Sequence, residues 1–405
     1  MKKILLINAV CGIGSTGRIV ADLWKTLKDN GYEAKVAFGV GKGFFVDEQD
    51  QFKFNNKLGY YWHNALSRIT DRAGFYSSIP TLILLHFIDR YKPDLIHLHN
   101  LHGYYINIRL LFNYIKRHNI PIVWTLHDCW AFTGHCTHFI MHGCEKWKTG
   151  CGECQFLDEY PQSWFVDRSK KNYQLKRHLF ISLGDRLTLV PVSKWLEGLI
   201  RQSFLKDMRI YTIHNGIDLS LFKATQNEEI RKKYNLIGKK VVIGVALPWS
   251  SYKGYRDFLK LREYLDDEYA IIMVGLSEDQ MNEIPSGIIG ITQTDSPREL
   301  AELYTLASVL VNTTYCDNYP TVNLEAIACG TPVITYRTGG SPESIDKNTG
   351  AVVDQGDFEA LLLKIREICE NSAKYSDACI AKAELLFDKS KCFAKYLNIY
   401  QQAIN

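Results

Sequence analysis

Apolar residues in this chain are concentrated in short continuous runs that alternate with polar turns and amphipathic helical segments. Such runs are typical of parallel strands that are covered on both faces. Helical segments such as Ile108–His118 connect successive runs, as in βαβ units. The pattern predicts an α/β protein with doubly wound parallel sheets. The predicted strands are Lys3–Ala9, Glu33–Val40, Asp94–His99, Ile122–Leu126, Leu187–Val192, Val241–Ala246, Ala270–Val274, Ile288–Thr292, Ala307–Asn312 and Pro332–Tyr336.

Length and composition narrow the class of protein. A chain of 405 residues exceeds one ordinary core and predicts two domains. The net charge of +4 is too small to indicate a nucleic-acid partner. The apolar runs fall short of the roughly 20 residues that span a bilayer, and the first run enters a glycine turn without a signal-cleavage pattern. We therefore expect a cytoplasmic protein, and the odd count of 11 cysteines argues against a fully paired secreted framework.

The segment Asp317–Gly340 carries the most specific functional pattern. Tyr319 and Pro320 form a turn after a predicted strand, so a helix should begin near Thr321 and Val322. The first N–H groups of a helix lack partners within the helix. At the carboxyl edge of a parallel sheet they favour an anion.

Asp317 and Glu325 are separated by seven residues, and Glu325 is followed by Ala-Ile-Ala-Cys-Gly-Thr-Pro-Val-Ile and then by Gly339-Gly340. This combination resembles the E-x7-E element of retaining glycosyltransferases with the GT-B fold, in particular family 4, with aspartate as the first acid. The resemblance implies that Asp317 contacts hydroxyls of the transferred sugar and that Glu325 holds the ribose. It also implies that the backbone of Tyr319–Val322 binds the diphosphate or the sugar. The alternative is an ordinary strand-turn-helix with Glu325 as a solvated cap.

The same resemblance implies two Rossmann-like domains that face a cleft. Residues 1–212 would form the acceptor-side domain, with a cysteine-rich insertion at 129–154, and residues 213–387 the nucleotide-sugar domain. The terminal helix 388–405 would pack back on the first domain.

The loop Gly12–Gly17 reads G-x-G-x-x-G after the first strand. It matches the dinucleotide fingerprint, but the second strand lacks the acid that would hold a ribose. By resemblance, Gly14, Ser15 and Thr16 contact the donor diphosphate or open towards the acceptor. The alternative is a tight turn that only lets the helix pack on the sheet.

His127 and Asp128 follow a predicted strand. By resemblance, His127 faces the cleft and contacts the donor sugar or orients the acceptor, while Asp128 supports the ring or serves the acceptor. The family mechanism demands no protein base and no cofactor, because the leaving phosphate takes the acceptor proton. A histidine satisfied within a strand-end network is the alternative.

Lys253 and Gly254 match the K-G of the family, whose ammonium neutralises charge on the departing nucleoside diphosphate. The arginine that family members carry a few residues earlier is absent, and Leu247 lies near its place. The pattern does not distinguish a UDP-linked from a GDP-linked donor.

The insertion contains a Cys-Gly-Glu-Cys knuckle and two earlier cysteines that predict a structural zinc site. Three nearby histidines are alternative ligands, and free thiols are the alternative to a metal. The proposed thiolate ligands are Cys136, Cys144, Cys151 and Cys154, and the histidines are His135, His138 and His142.

Two aromatic stretches have more than one interpretation. Residues 44–92 are interpreted mainly as helices that pack on the core, with an aromatic face exposed to a bulky acceptor or lipid as the alternative. Residues 164–180 interleave basic and aromatic positions. They are expected to form a solvated basic helix with a core-facing aromatic stripe, or a face that lies on an anionic membrane.

The resemblance as a whole implies a retaining, metal-independent glycosyltransferase. It would transfer a sugar from a UDP- or GDP-linked donor to a saccharide or polyprenyl-diphosphate-linked acceptor, in capsular, O-antigen or exopolysaccharide synthesis at the inner face of the membrane. The alternative is a nucleotide-sugar or lipid-linked-saccharide binding protein with a degenerate catalytic site.

Overall fold

A computed structural model describes residues 1–225 and 228–405. The chain forms two compact units, residues 1–214 with 393–405 and residues 215–392. Each unit is built on one parallel sheet, so the predicted fold class is confirmed. The sequence had placed the divisions after residues 212 and 387.

The sheet of the first unit has seven strands in the order β3-β2-β1-β4-β5-β6-β7. Its strands are β1 (Lys3–Asn8), β2 (Glu33–Phe38), β3 (Gln51–Lys53), β4 (Leu95–Leu98), β5 (Ile122–Leu126), β6 (Leu187–Pro191) and β7 (Arg209–Ile210). The helices that connect them are α1 (Gly14–Asp29), α2 (Lys57–Thr70), α3 (Ser78–Tyr91), α4 (Ile108–His118), α5 (Ser169–Ile181) and α6 (Lys194–Ile200).

The sheet of the second unit has six strands in the order β10-β9-β8-β11-β12-β13. Its strands are β8 (Lys240–Val245), β9 (Tyr269–Val274), β10 (Ile288–Ile291), β11 (Val309–Asn312), β12 (Val333–Tyr336) and β13 (Gly350–Val353). The helices are α7 (Glu228–Lys233), α8 (Tyr255–Tyr264), α9 (Glu278–Glu283), α10 (Pro297–Leu306), α11 (Thr321–Ala328), α12 (Phe358–Asn371), α13 (Ala373–Leu386) and the start of α14 (Lys389–Ile404).

The end of α14 belongs to the first unit. Tyr400 Oη lies 2.7 Å from His97 Nδ1, and Tyr396 Oη lies 2.9 Å from Thr125 Oγ1. His97 Nε2 lies 2.8 Å from the same threonine oxygen. Both ring nitrogens of this buried histidine therefore have partners, and His97 acts as a structural residue of the core.

Helix α10 begins after a serine cap. Ser296 Oγ accepts a hydrogen bond from the Glu299 N–H at 3.2 Å, so Ser296 is the N-cap of α10. Ser296 and Glu299 have the spacing of a capping box, but the Glu299 carboxylate accepts instead from the Asp295 N–H at 2.6 Å and from Lys233 Nζ at 2.7 Å.

Residues 44–92, the first aromatic stretch, include α2 and α3. The interpretation of their aromatic side chains as core packing is wrong in part. Phe54 and Phe75 are buried as expected. Tyr61 and Trp62, in contrast, are 54% and 61% exposed. In residues 164–180, Tyr173 and Phe180 face the core as predicted. The prediction of a solvated basic helix is wrong for Lys176, which is buried and donates to the Trp130 carbonyl oxygen at 2.7 Å.

The cysteine-rich insertion lies between β5 and α5. Within it the described chain forms only short 3₁₀ turns, at Trp130–Phe132, Ile140–His142 and Lys146–Lys148. Among the described residues, no helix has the length and apolar character needed to cross a bilayer.

Candidate active site

Two loops at the carboxyl edge of the second sheet bring opposite charges together. Lys253 follows β8, and Asp317 follows β11, which is the neighbour of β8 in the sheet. Because neighbouring parallel strands end at the same edge, the two side chains meet there. Lys253 Nζ lies 2.6 Å from Asp317 Oδ2.

The Lys253 ammonium places a positive charge at this edge of the sheet. Its side chain is 33% exposed, and that of Asp317 is 21% exposed. Burial lowers the pKa of Lys253, but the charge and hydrogen bond of Asp317 outweigh burial, so the pKa is raised above its ordinary value. Lys253 therefore carries its charge throughout the physiological pH range.

Gly254 is required by the backbone after Lys253. Its φ is +69°, and a Cβ at this position would lie 2.1 Å from the Thr313 carbonyl oxygen. Thr313 Oγ1 donates to the Gly254 carbonyl oxygen at 3.2 Å. The close approach of the two loops, which positions Lys253, depends on the missing side chain.

Helix α11 begins at Thr321, as predicted, with Pro320 as its N-cap. The side chain of Pro320 makes no cap hydrogen bond. Asn312 Nδ2 at the end of β11 donates to Asn323 Oδ1 at 2.8 Å, which fixes the helix start to the strand. The positive end of the helix is thus held at the edge where Lys253 lies, a suitable environment for an anion.

Glu325 lies one turn into α11 and is half-buried. Tyr304 Oη, from α10, donates to Glu325 Oε2 at 3.1 Å. This tyrosine was missed by the sequence analysis, because no local pattern links two residues on separate helices. It restricts the orientation of the carboxylate.

The glycine pair after β12 supports the Asp317 loop. Gly339 has φ +52°, and a Cβ there would lie 1.7 Å from the Asp317 carbonyl oxygen. Thr338 Oγ1 donates to the Tyr315 carbonyl oxygen at 2.9 Å. Gly339 of this motif is therefore needed for packing beside Asp317.

The remaining predicted site residues belong to the first unit. Gly14, Ser15 and Thr16 form the first turn of α1, and Gly14 and Ser15 are exposed. Gly12, at φ +72°, lies so close to Phe44 that a Cβ would be 2.2 Å from its carbonyl oxygen.

His127, just after β5, belongs to a network of imidazoles. Its Nε2 lies 3.1 Å from His99 Nδ1. Burial lowers the pKa of His127 to about 4, with Asp128 opposing this shift and His102 adding to it. His127 is therefore neutral near pH 7 and can donate or accept a hydrogen bond.

Asp128, the residue after His127, is ionised. His102 Nε2 lies 2.7 Å from Asp128 Oδ2, and the Trp130 N–H donates to Asp128 Oδ1 at 2.8 Å. Burial raises the pKa of Asp128, but His102 and other neighbours outweigh this effect and lower the pKa to about 2. The carboxylate thus orients His102.

The four cysteines of the predicted zinc site line one cavity of about 200 Å³. Nδ1 of His135 lies 2.5 Å from Asp71 Oδ1, and Nε2 of His142 lies 3.0 Å from Glu159 Oε1, so these two histidines already have partners. Within residues 1–225 and 228–405, no three His, Cys, Asp or Glu side chains are arranged to hold a metal ion. The zinc site stays a prediction. Its cysteines are Cys136, Cys144, Cys151 and Cys154.

Comparison with known families decides the identity of the chain. The model described as Glycosyltransferase Family 4 matches residues 16–221, which is more than half of the chain. The chain belongs to glycosyltransferase family 4. The model of group 1 glycosyl transferases matches residues 226–385 of this family 4 glycosyltransferase.

Full-length relatives agree with this assignment. The family 4 chain is 26% identical to WcaC of Escherichia coli (strain K12), named as a glycosyl transferase of colanic acid biosynthesis, over 98% of this chain and 99% of WcaC. Its fold is similar to that of sucrose-phosphate synthase from Thermosynechococcus elongatus, with TM-score 0.74, 16% identity and 99% of both chains covered. It is also similar to HepE from Anabaena in complex with UDP-glucose, with TM-score 0.69, 18% identity, and 98% and 100% coverage. The fold is GT-B.

Proposed function

We propose that this enzyme transfers a hexosyl group from a UDP-sugar, with retention of anomeric configuration and without a metal ion. The observation that carries the proposal is the Lys253–Asp317 pair at the sheet edge where α11 begins. Lys253 and the α11 N-terminus supply the positive charge that a departing diphosphate requires, which a divalent cation supplies in other enzymes.

The proposed roles of the acids are those that the family resemblance implies, and their positions at the sheet edge support them. Glu325 holds the ribose hydroxyls with the carboxylate that Tyr304 orients. Asp317 accepts hydrogen bonds from the transferred sugar, and Tyr319–Val322 present backbone N–H groups to the diphosphate. UDP rather than GDP is favoured because HepE, which shares the fold, binds UDP-glucose.

The acceptor side is assigned to the first unit. Neutral His127 contacts the sugar or the acceptor by hydrogen bonds, and Gly14, Ser15 and Thr16 contact the donor diphosphate or the acceptor. The leaving phosphate takes the acceptor proton in this scheme. The likeness to WcaC supports a saccharide or polyprenyl-diphosphate-linked acceptor of surface polysaccharide synthesis, reached by an enzyme peripheral to the inner face of the cell membrane.

Transfer assays with Lys253→Met test this function. We expect a loss of about 10²- to 10³-fold in kcat, because a charge that stabilises the leaving group is removed. Lys240→Met is the matched control, since Lys240 lies at the opposite end of β8 and pairs with Glu268 and Glu370. Its kcat should be unchanged.

The stereochemistry and the metal requirement have separate readouts. The NMR coupling constant of the product should show the anomeric configuration of the donor, and EDTA should leave the rate unchanged. Inversion would refute the retaining mechanism. Saturable binding of UDP-sugars without transfer or hydrolysis would identify a binding protein with a degenerate site instead.

A further inference from the structure

One side of α2 exposes an apolar face to solvent. Leu58, Tyr61, Trp62 and Ile69 lie on the same side of the helix and are 67%, 54%, 61% and 43% exposed. The buried His63 lies on another side. A surface helix normally turns its apolar side to the core, so this orientation calls for a partner.

The first turns of α3 expose further apolar residues. Ile79, Leu82 and Ile83 are 74%, 55% and 49% exposed. His63 Nδ1 lies 2.7 Å from Ser77 Oγ, immediately before α3, so the start of α3 is held beside the middle of α2.

A third element extends the face at the end of α2. The Trp164 N–H donates to the Arg68 carbonyl oxygen at 2.6 Å, and the Trp164 ring centre lies 5.3 Å from the Arg68 guanidinium. Trp164 and the next residue, Phe165, are 52% and 77% exposed. We call the exposed residues of α2, α3 and this loop the apolar face.

Basic residues predominate along α2 and the start of α3, while Asp89 at the far end of α3 and Asp167 after Phe165 are exposed acids. Residues 51–88 contain one acid, Asp71, which is buried against His135 and also accepts from the Arg168 N–H at 2.8 Å. The accessible charges of this stretch are therefore positive. The basic residues are Lys53, Lys57, Arg68 and Arg72.

We propose that the apolar face docks on an anionic lipid bilayer, with α2 lying in the plane of the interface. Trp and Tyr side chains favour the headgroup region, and Lys and Arg attract anionic headgroups. Large apolar side chains on two helices, with basic flanks, fit a fluid apolar surface without a matching pocket. The inference rests on the membrane-side acceptor proposed above, but it involves neither the donor site nor catalysis.

Vesicle co-sedimentation of the full-length protein tests the proposal. The vesicles are phosphatidylcholine alone, or phosphatidylcholine mixed with phosphatidylglycerol. We expect binding to the mixed vesicles and a loss of at least tenfold in Tyr61→Ser/Trp62→Ser. Leu363→Ser/Leu385→Ser is the matched control, because these leucines of the second unit are 64% and 70% exposed.

A charge variant separates the electrostatic contribution to vesicle binding from the apolar contribution. Lys53→Gln/Lys57→Gln should weaken binding to the mixed vesicles by about fivefold for each charge removed. Lys232→Gln/Lys347→Gln, at exposed lysines of the second unit, should bind as the wild type does.

Three results would overturn the proposal. They are absence of wild-type binding, equal binding to neutral and mixed vesicles, and equal loss in the leucine control. Self-association that Tyr61→Ser/Trp62→Ser abolishes, without vesicle binding, would assign the apolar face to a second copy of the chain. UDP binding measured on the same variants should be unchanged, so failure of this proposal is distinct from failure of the donor site.

Discussion

Asp317→Asn should strengthen UDP binding while it weakens transfer. In the structure Asp317 Oδ2 lies 2.6 Å from Lys253 Nζ, so a donor diphosphate has to share this ammonium with a carboxylate. Asparagine keeps the size of the side chain and one oxygen acceptor but removes the competing charge. The two effects have opposite signs, which an unspecific loss of structure cannot produce.

The expected changes in UDP affinity and transfer rate are derived from the Lys253–Asp317 ion pair and the hydrogen bonds of Asp317. With side chains 33% and 21% exposed, the pair resembles ion pairs that contribute about 0.2–1 kcal/mol, so UDP affinity should rise by a factor of about 1.4 to 5. Transfer should fall by about 10- to 100-fold, because the proposed charged acceptor of sugar hydroxyls is lost and hydrogen bonds to charged groups contribute about 1.5–3 kcal/mol.

Calorimetric titration with UDP and a kcat measurement check both effects. Asp354→Asn is the matched control, because Asp354 pairs with Arg337 at 2.7 Å on the surface of the same unit. It should change neither quantity. Weaker UDP binding in Asp317→Asn would refute the competition and would mean that Asp317 mainly holds Lys253 in place.

Three further predictions concern stability and metal content. Gly254→Ala should lower the Tm more than Gly238→Ala. Both glycines have positive φ, but a Cβ at Gly254 would lie 2.1 Å from a carbonyl oxygen, whereas no described atom lies within 4 Å of a Cβ at Gly238. Equal Tm values of the two variants would contradict the clash. Burial lowers the pKa of His97 to about 3, so below pH 6.5 the unfolded chain takes up a proton that the folded chain does not, and the free energy of unfolding falls by about 1.4 kcal/mol per pH unit near pH 5. Urea unfolding at pH 7 and pH 5 should therefore show a smaller loss of stability between the two pH values for His97→Gln than for the wild type. Equal losses would refute His97 as the source of the pH dependence. Protein purified without chelator should contain about one zinc per chain, which Cys151→Ser/Cys154→Ser should lose, and a zinc-free wild type would contradict the zinc site.

The parts of the fold that the sequence predicted are those with strong local signals. β5 and α4 have the predicted bounds, and α11 begins at the predicted Thr321, because continuous apolar runs and a proline turn depend little on distant contacts. The family resemblance assigned both Lys253 and Asp317 to a predicted donor site, but their direct contact depends on the order of β8 and β11 in the sheet, which no local pattern specifies.

The side chains that the sequence analysis misplaced depend on tertiary structure. The apolar residues of α2 have the spacing of a core-facing helix, and periodicity cannot show whether that side meets the core or solvent. Likewise, Glu299 satisfies the capping-box pattern, yet Lys233 from another helix provides a charged partner that the pattern does not include. Tyr304 and its bond to Glu325 could be found only in three dimensions.

Titration of the wild type, Glu325→Ala and Glu263→Ala with UDP, GDP, ADP and NAD tests the donor site most directly. Glu263, on the exposed side of α8, is the matched control. We predict that UDP binds, that Glu325→Ala weakens its binding by about 10- to 100-fold through loss of charged hydrogen bonds to the ribose, and that Glu263→Ala binds UDP as the wild type does. Binding of NAD in place of UDP, or equal UDP affinity of Glu325→Ala and the wild type, would contradict the assignment of this sheet edge as the donor site.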